Sequence, residues 1–226
     1  MIFRQIQHKE SSTFTYLVAS DYGREALIID PVDDSIELYT KLIDELGCRL
    51  VMAVDTHTHA DHVSARCALR HSKGCHAVIG EHSKAECASL FLKDGERFNL
   101  DGTSVESLYT PGHTDDSYSL LIGDRVFTGD ALFIRGCGRT DFQQGDAGAL
   151  YDSITQKLFT LPEETMVYPA HDYNGRTSSS IYEEKRYNPR LAGKSKGEFI
   201  EIMESLNLPR PAKMDVAVPA NLVCHG

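Results

Sequence analysis

No stretch of this chain approaches the ~20 consecutive apolar residues that span a bilayer. Its start, Met1-Ile2-Phe3-Arg4-Gln5, reads straight into a strand, without the basic and apolar regions of a secretory leader. The expectation is therefore a protein without membrane contact, in a cytoplasmic setting. Positive charge is in deficit, with 23 Lys and Arg against 33 Asp and Glu and a net charge of -10 when the ten histidines are neutral. That balance argues against non-specific nucleic-acid binding, which depends on neutralising phosphates. The six cysteines (Cys48, Cys67, Cys75, Cys87, Cys137 and Cys224) contain no C-x-x-C pair, so neither a zinc ribbon nor a thioredoxin motif is expected. Reduced thiols in a reducing compartment are the simplest reading. Low-complexity tracts and clear linkers are also missing. What remains, 41% hydrophobic and 25% charged over 226 residues, suits a globular chain with one sizeable core.

Strand and helix signals alternate. Thr13 to Ala19 and Glu25 to Asp30 read as strands around a turn at Gly23. Asp34 and Glu37 suggest a capping box for a helix from Ser35 or Ile36 to Leu46. Its apolar positions Ile36, Tyr39, Leu42, Ile43 and Leu46 have helical spacing, and Gly47 stops it. Further expectations are a strand over Leu50 to Asp55, a helix from Asp61 to Ser72 and a strand over Ala77 to Gly80. A short helix near Ser83 to Phe91, a strand near Ser104 to Tyr109 and a hairpin around Gly123-Asp124 follow, then a helix from Ala147 to Phe159. The class is α/β or α+β. The last segment reads as a short, proline-bearing tail with Pro209, Pro211 and Pro219.

The chemistry concentrates in Thr56-His57-Thr58-His59-Ala60-Asp61-His62, an H-x-H-x-D-H pattern after the apolar run Leu50 to Val54. Imidazole and carboxylate both ligate divalent metals such as zinc and ferrous iron. Three more motifs follow β-like segments: Gly112-His113-Thr114, Thr128-Gly129-Asp130-Ala131 and Pro169-Ala170-His171-Asp172. Each alone reads as a turn. Four in this order read as a metal site built on strand ends.

With these motifs the chain resembles the metallo-β-lactamase superfamily from about Thr13 to about Leu191. Within it, the longer segments Thr128 to Gly145, Tyr168 to Tyr173 and Asn188-Pro189-Arg190-Leu191 resemble the persulfide dioxygenases of the ethylmalonic encephalopathy protein type. Hydroxyacylglutathione hydrolases (glyoxalase II) usually differ at Thr58, at Thr140 to Gln144 and at Ala170 to Tyr173, and carry a longer helical extension. The loop after His113 reads Thr114-Asp115-Asp116, where dioxygenases often have Thr-Pro-Gly.

The resemblance implies a single metallo-β-lactamase-like domain over residues 1–226, a four-layer αβ/βα sandwich with its site at one edge between two sheets. It implies one Fe(II) per chain on His57, His113 and Asp130, with His59, Asp61, His62 and His171 around them. The implied substrates are glutathione persulfide and O2, giving sulfite and glutathione. A homodimer and a functional link to a rhodanese or a sulfide:quinone oxidoreductase are implied as well. Candidate contacts to the glutathione carboxylates are Arg139, Tyr173 and Arg176, with Lys185 and Arg186 as weaker ones. Cys137 sits close to Asp130 in the Gly136-Cys137-Gly138-Arg139 motif, but no Cys-His signature marks it as a nucleophile. The alternative is a two-metal hydroxyacylglutathione hydrolase, in which His59, Asp61, His62 and His171 would be ligands too.

Overall fold

Three strands open the chain in a meander: β1 (Ile2–His8), β2 (Thr13–Ala19) and β3 (Glu25–Ile29), each antiparallel to its neighbour. Helix α1 (Ile36–Glu45) carries the chain back, so β4 (Arg49–Val54) pairs parallel with β3. After α2 (Arg66–Lys73), strands β5 (His76–Gly80) and β6 (Leu90–Leu92) add in parallel and complete the first sheet in the order β1-β2-β3-β4-β5-β6. Strands β7 (Arg97–Leu100), β8 (Thr103–Tyr109), β9 (Tyr118–Ile122) and β10 (Arg125–Gly129) then run antiparallel. Helix α3 (Ala147–Gln156) leads to β11 (Met166–Pro169), parallel to β10, and β12 (Ser179–Ser180) pairs with β11. Helices α4 (Ile181–Tyr187), α5 (Lys196–Glu204) and α6 (Met214–Leu222) follow. This computed structural model describes residues 1–223; Cys224 lies outside the described residues.

Strand side chains alternate faces, and here both faces are dry. Tyr16, Val18, Leu27, Ile29 and Val54 meet Val105, Leu120, Ile122 and Phe127 between the sheets. Their neighbours Leu17, Ala19, Ala26 and Ile28 pack under Tyr39, Ile43 and Leu69 of α1 and α2. Val126 and Val167 of the second sheet are covered by Leu150, Ile154, Ile181 and Phe199 of α3, α4 and α5. The result is the expected αβ/βα sandwich of two mixed sheets between helical layers.

Several local expectations need correction. The second helix starts at Arg66 rather than Asp61, because the preceding residues pair with the turn after β3. Asp33 N donates to Val63 O and Ala65 N to Pro31 O. No helix forms over Ser83 to Phe91, since Ser89 exchanges bonds with Ala77 and commits the chain to β6. The Asp34–Glu37 capping box does not form; a 3-10 turn over Asp33–Ser35 precedes α1, and Ser35 makes no side-chain cap. Helix α3 stops at Gln156, followed by a 3-10 turn over Leu158–Thr160. The end of the proline-bearing tail is helical, with Pro219 inside α6 and Pro209 and Pro211 in the irregular segment before it.

The loop before His113 is pressed onto α3. Gly112 has φ +131, and a Cβ there would lie 2.3 Å from Leu150 N and 2.4 Å from its Cα. Both the backbone conformation and the contact require glycine. Gly112→Ala is expected to cost about 2–4 kcal/mol through strain and overpacking, read as a lowered midpoint in urea unfolding.

Candidate metal centre

Four strands deliver the site, each from its C-terminal end. The loop after β4 supplies His57, His59, Asp61 and His62; the loop after β8 supplies His113; β10 runs into Asp130; and β11 runs into His171. The sheets are stitched together at this edge. Phe14 N donates to Ala170 O and Tyr118 N to Thr56 O. The expected residues therefore meet, although up to about half the chain separates them.

One donor atom each from His57, His113 and Asp130 lie within 4.8 Å of one another. His113 Nε2 is 3.4 Å from Asp130 Oδ2, and the His57 and His113 rings stand edge to face with centroids 5.0 Å apart. His59, Asp61 and His62 form a second such trio. His171 Nε2 stands between the groups, 3.5 Å from Asp61 Oδ2 and 3.7 Å from Asp130 Oδ1.

The outward nitrogens explain how the rings are aimed. His113 Nδ1 is 2.7 Å from the Arg139 carbonyl, a pure acceptor, so this nitrogen carries the proton and Nε2 keeps its lone pair toward Asp130. Thr56 Oγ1 donates to Asp30 Oδ2 at 3.0 Å and therefore accepts from His57 Nδ1, also at 3.0 Å. Its only hydrogen is spent on the carboxylate, so the His57 Nε2 lone pair is likewise free. His171 Nδ1 faces Ser12 O at 3.1 Å, and His62 Nδ1 faces Val63 O at 3.2 Å. Such partners fix a tautomer and raise the basicity of the nitrogen facing a metal.

His59 is held differently. Its Nε2 bonds Asp30 Oδ1 at 3.0 Å, and the same oxygen accepts Thr56 N at 2.7 Å. Burial opposes charging of His59, but Asp30, with Asp55 and Asp61 beyond it, outweighs burial and pushes its pKa up to about 10. Burial and the neighbouring His59 take His62 down to about 4 and His57 well below its ordinary value. The inward atoms His59 Nδ1, His62 Nε2 and Asp130 Oδ1 are buried without a hydrogen-bond partner. Buried polar atoms are rarely left so; a cation in the gap would satisfy the lone pairs of His62 Nε2 and Asp130 Oδ1, and would bind His59 Nδ1 only by displacing its proton. The donor set fits a divalent metal.

The second glycine of Gly136-Cys137-Gly138-Arg139 now has a reason. Gly138 N donates to Asp130 O, and a Cβ on Gly138 would lie 2.3 Å from that oxygen and 2.9 Å from His113 Nδ1. Only glycine lets the loop close over His113 and offer it the Arg139 carbonyl. Glu184, fully buried on α4, anchors the same loop. It accepts from Arg135 N at 2.8 Å, the Arg135 guanidinium, Ser179 Oγ and Asn188 Nδ2.

A cavity of about 530 Å³ opens beside the trio, with Phe133, Ile134, Tyr173, Arg176, Arg190 and Pro209 among its walls. Arg139 lines it, but its donors are already engaged. Nε and Nη2 grip Asp141, Nη1 reaches Pro209 O and Nη2 also reaches Leu208 O. Arg176 lines it while bonded to Asp172. Tyr173 is largely exposed, its ring parallel to His171 at 5.8 Å. Lys185 and Arg186 are not among the lining residues; they pair with Glu163 on the outer face of α4. Cys137 lines the cavity with its thiol buried against Met203 and Arg190, and burial pushes its pKa up.

Sequence reading missed several contributors. Asp30, Thr56 and Glu184 lack any metal-site spacing. Arg190 lay inside the Asn188 to Leu191 segment already singled out; its Nη1 is spent on Cys137 O at 2.8 Å while its side chain lines the cavity. The sulfur atoms of Cys67 and Cys87 face each other at 3.5 Å, a proximity that their spacing does not announce.

Comparison with known proteins adds four findings. Residues 8–171 match the metallo-beta-lactamase superfamily model. The chain is 47% identical over 227 residues to the human protein named "Persulfide dioxygenase ETHE1, mitochondrial", covering 99% of this chain and 89% of that protein. The crystal structure of ETHE1 from Myxococcus xanthus superimposes with a TM-score of 0.95 at 54% identity, covering 98% of each chain. A hydroxyacylglutathione hydrolase of Thermosynechococcus vestitus is more distant, 34% identical over 80% of this chain and 72% of its own length.

Burial and the raised pKa of Cys137 make its thiol unreactive. Iodoacetamide at pH 8 is expected to label Cys48, which is only partly buried, while Cys137 stays unmodified until the protein is unfolded. Peptide mass mapping before and after denaturation reads this directly.

Proposed function

The chain belongs to the metallo-beta-lactamase superfamily and, within it, to the persulfide dioxygenases, and from that premise we infer the reaction and the roles of its residues. The enzyme oxidises glutathione persulfide with O2 and water to sulfite and glutathione. Both atoms of O2 go to the outer sulfur, water supplies the third oxygen of sulfite, and the sulfur–sulfur bond breaks to release the glutathione thiol.

We assign one Fe(II) per chain to His57, His113 and Asp130. The observation that carries this is the convergence of their donor atoms within 4.8 Å, with the opposite nitrogen of each imidazole already occupied. Fe(II) in a two-histidine, one-carboxylate set supplies the redox chemistry and leaves positions open for sulfur and oxygen side by side. The chain does the rest. Thr56, backed by Asp30, and the Arg139 carbonyl hold the Nδ1 side of the two imidazoles and aim Nε2 inward. His59, tied to Asp30, stays with Asp61, His62 and His171 around the iron and shapes the field there. Phe133 and Ile134 give the persulfide an apolar wall. Arg190 and Arg176 face the cavity with guanidinium groups that suit the two carboxylates of glutathione, and Tyr173 stands at its rim. Arg139 braces the loop against Asp141 and the 208–209 carbonyls.

Residues 1–226 acting as one domain, a homodimer and a functional link to a rhodanese or sulfide:quinone oxidoreductase belong to the same reading and rest on the resemblance alone, whereas a cytoplasmic setting rests on the sequence composition. Among the described residues no helix is long and apolar enough to cross a membrane.

The deciding experiment is oxygen uptake by anaerobically Fe(II)-loaded protein given glutathione persulfide, with sulfite assayed in the same sample. Uptake and sulfite are expected mole for mole at one iron per chain. A fully iron-loaded sample that consumes no oxygen would make two-metal thioester hydrolysis the better account. Arg190→Ala is expected to raise KM for glutathione persulfide about 10- to 100-fold with little change in kcat, the loss of one charge-assisted contact. An unchanged KM removes Arg190 from the substrate-binding set.

A further inference from the structure

The loop from Thr56 to Val63 has left β4, so no sheet ladder satisfies its carbonyls, yet much of it is buried. Unpaired backbone groups at such depth are costly. Five of the loop's eight carbonyls have partners outside it. Thr56 O accepts from Tyr118 N and Val63 O from Asp33 N. Thr58 O accepts from Gln143 Nε2 at 2.7 Å. His59 O and His62 O both accept from the side-chain amide of Asn221, each at 2.9 Å. The same side chain accepts Ser64 N on Oδ1 at 2.8 Å, and the Asn221 carbonyl receives Arg66 Nη2 at 3.2 Å.

Asn221 is 5% exposed, lies near the end of α6, and spends both amide hydrogens on the loop. Its helix is docked at that end by Glu86 N donating to Leu222 O, and it offers little apolar surface, with Ala217 the only fully buried apolar side chain on it. The polar contact, not a hydrophobic face, joins this helix to the site. No other side-chain type of this size places two N–H donors and one acceptor in one plane.

We propose that Asn221 is a positioning residue for the dioxygenase. From the C-terminal helix it clamps the backbone of His59 and His62 and thereby fixes the turn that sends His57, His59, Asp61 and His62 toward the metal. This rests on the reading that the histidine loop holds iron, but the clamp itself is testable without metal. Asn221→Asp keeps size and the Ser64 acceptor while replacing both donors with lone pairs, and Asn221→Ala removes all three bonds.

The test is deuterium uptake of the metal-free full-length protein, followed by Fe(II) affinity in competition with a chromogenic ferrous chelator. Peptides covering residues 56–66 are expected to exchange at least tenfold faster in both variants, while peptides from β2, β3 and β10 keep wild-type protection. Iron is expected to bind about 10- to 100-fold more weakly, the range for groups that orient metal ligands. Should Asn221→Ala fail to fold, Asn221→Asp decides alone. Wild-type exchange across the loop overturns the proposal, as does faster exchange with iron affinity within twofold of wild type. A wild-type protein that takes up no iron would instead sink the iron assignment, and loop exchange would still decide the clamp.

Discussion

Five imidazoles and two carboxylates crowd into one largely dry space at the edge of two sheets, and that crowding governs the structure around it. Out of water, every nitrogen turned away from the gap needs an acceptor, and every acceptor needs an element to carry it. Asp30 serves two imidazoles, one directly and one through Thr56. It does so from a left-handed backbone conformation, φ +50, at the end of β3. The Arg139 carbonyl serves His113 only because a glycine lets the loop close, and the buried Glu184 fixes that loop from behind. Much of the chain's irregular structure is the set of supports that this rule demands.

The strand-end motifs were legible because their chemistry is local. H-x-H-x-D-H puts ligand types into one loop whatever surrounds it, and the order of the later motifs fits strands feeding one edge. The sandwich was legible through resemblance, since the strands are apolar on both faces and periodicity alone does not separate such runs from buried helix. The supports were not legible. Asn221 and Glu184 act across 162 and 49 residues of sequence, and an asparagine near a chain end carries no pattern. The proline-bearing tail gave no helix signal of its own, whereas α6 forms over Met214–Leu222 and accommodates Pro219. The expected helix over Ser83 to Phe91 failed because sheet pairing at Ser89 outweighed local propensity.

The same frame serves hydrolysis in more distant relatives and sulfur oxidation here, so the fold alone does not fix the reaction and the side chains around the site matter. In this chain Asp30 grips the ring nitrogen of His59 opposite the one that faces the gap. Thr58 spends its hydroxyl on Asp116. The loop beyond Asp130 offers a carbonyl to His113 and a braced arginine to the cavity wall. Burial places the nearby Cys137 thiol out of play, which keeps a nucleophile from competing for a sulfur-rich substrate.

The seam between the halves also sets an order of events. The site needs Thr13 beside His171, and it needs the backbone of His59 and His62 beside Asn221. These are among the longest loop closures the chain can make, and such contacts form late and slowly. On the ribosome, the histidine loop emerges while the residues that shape it are still being translated. A nascent chain therefore carries its imidazoles without their final geometry until His171 and Asn221 have been made. The fold thus ties the shape of its metal site to residues translated long after the histidine loop.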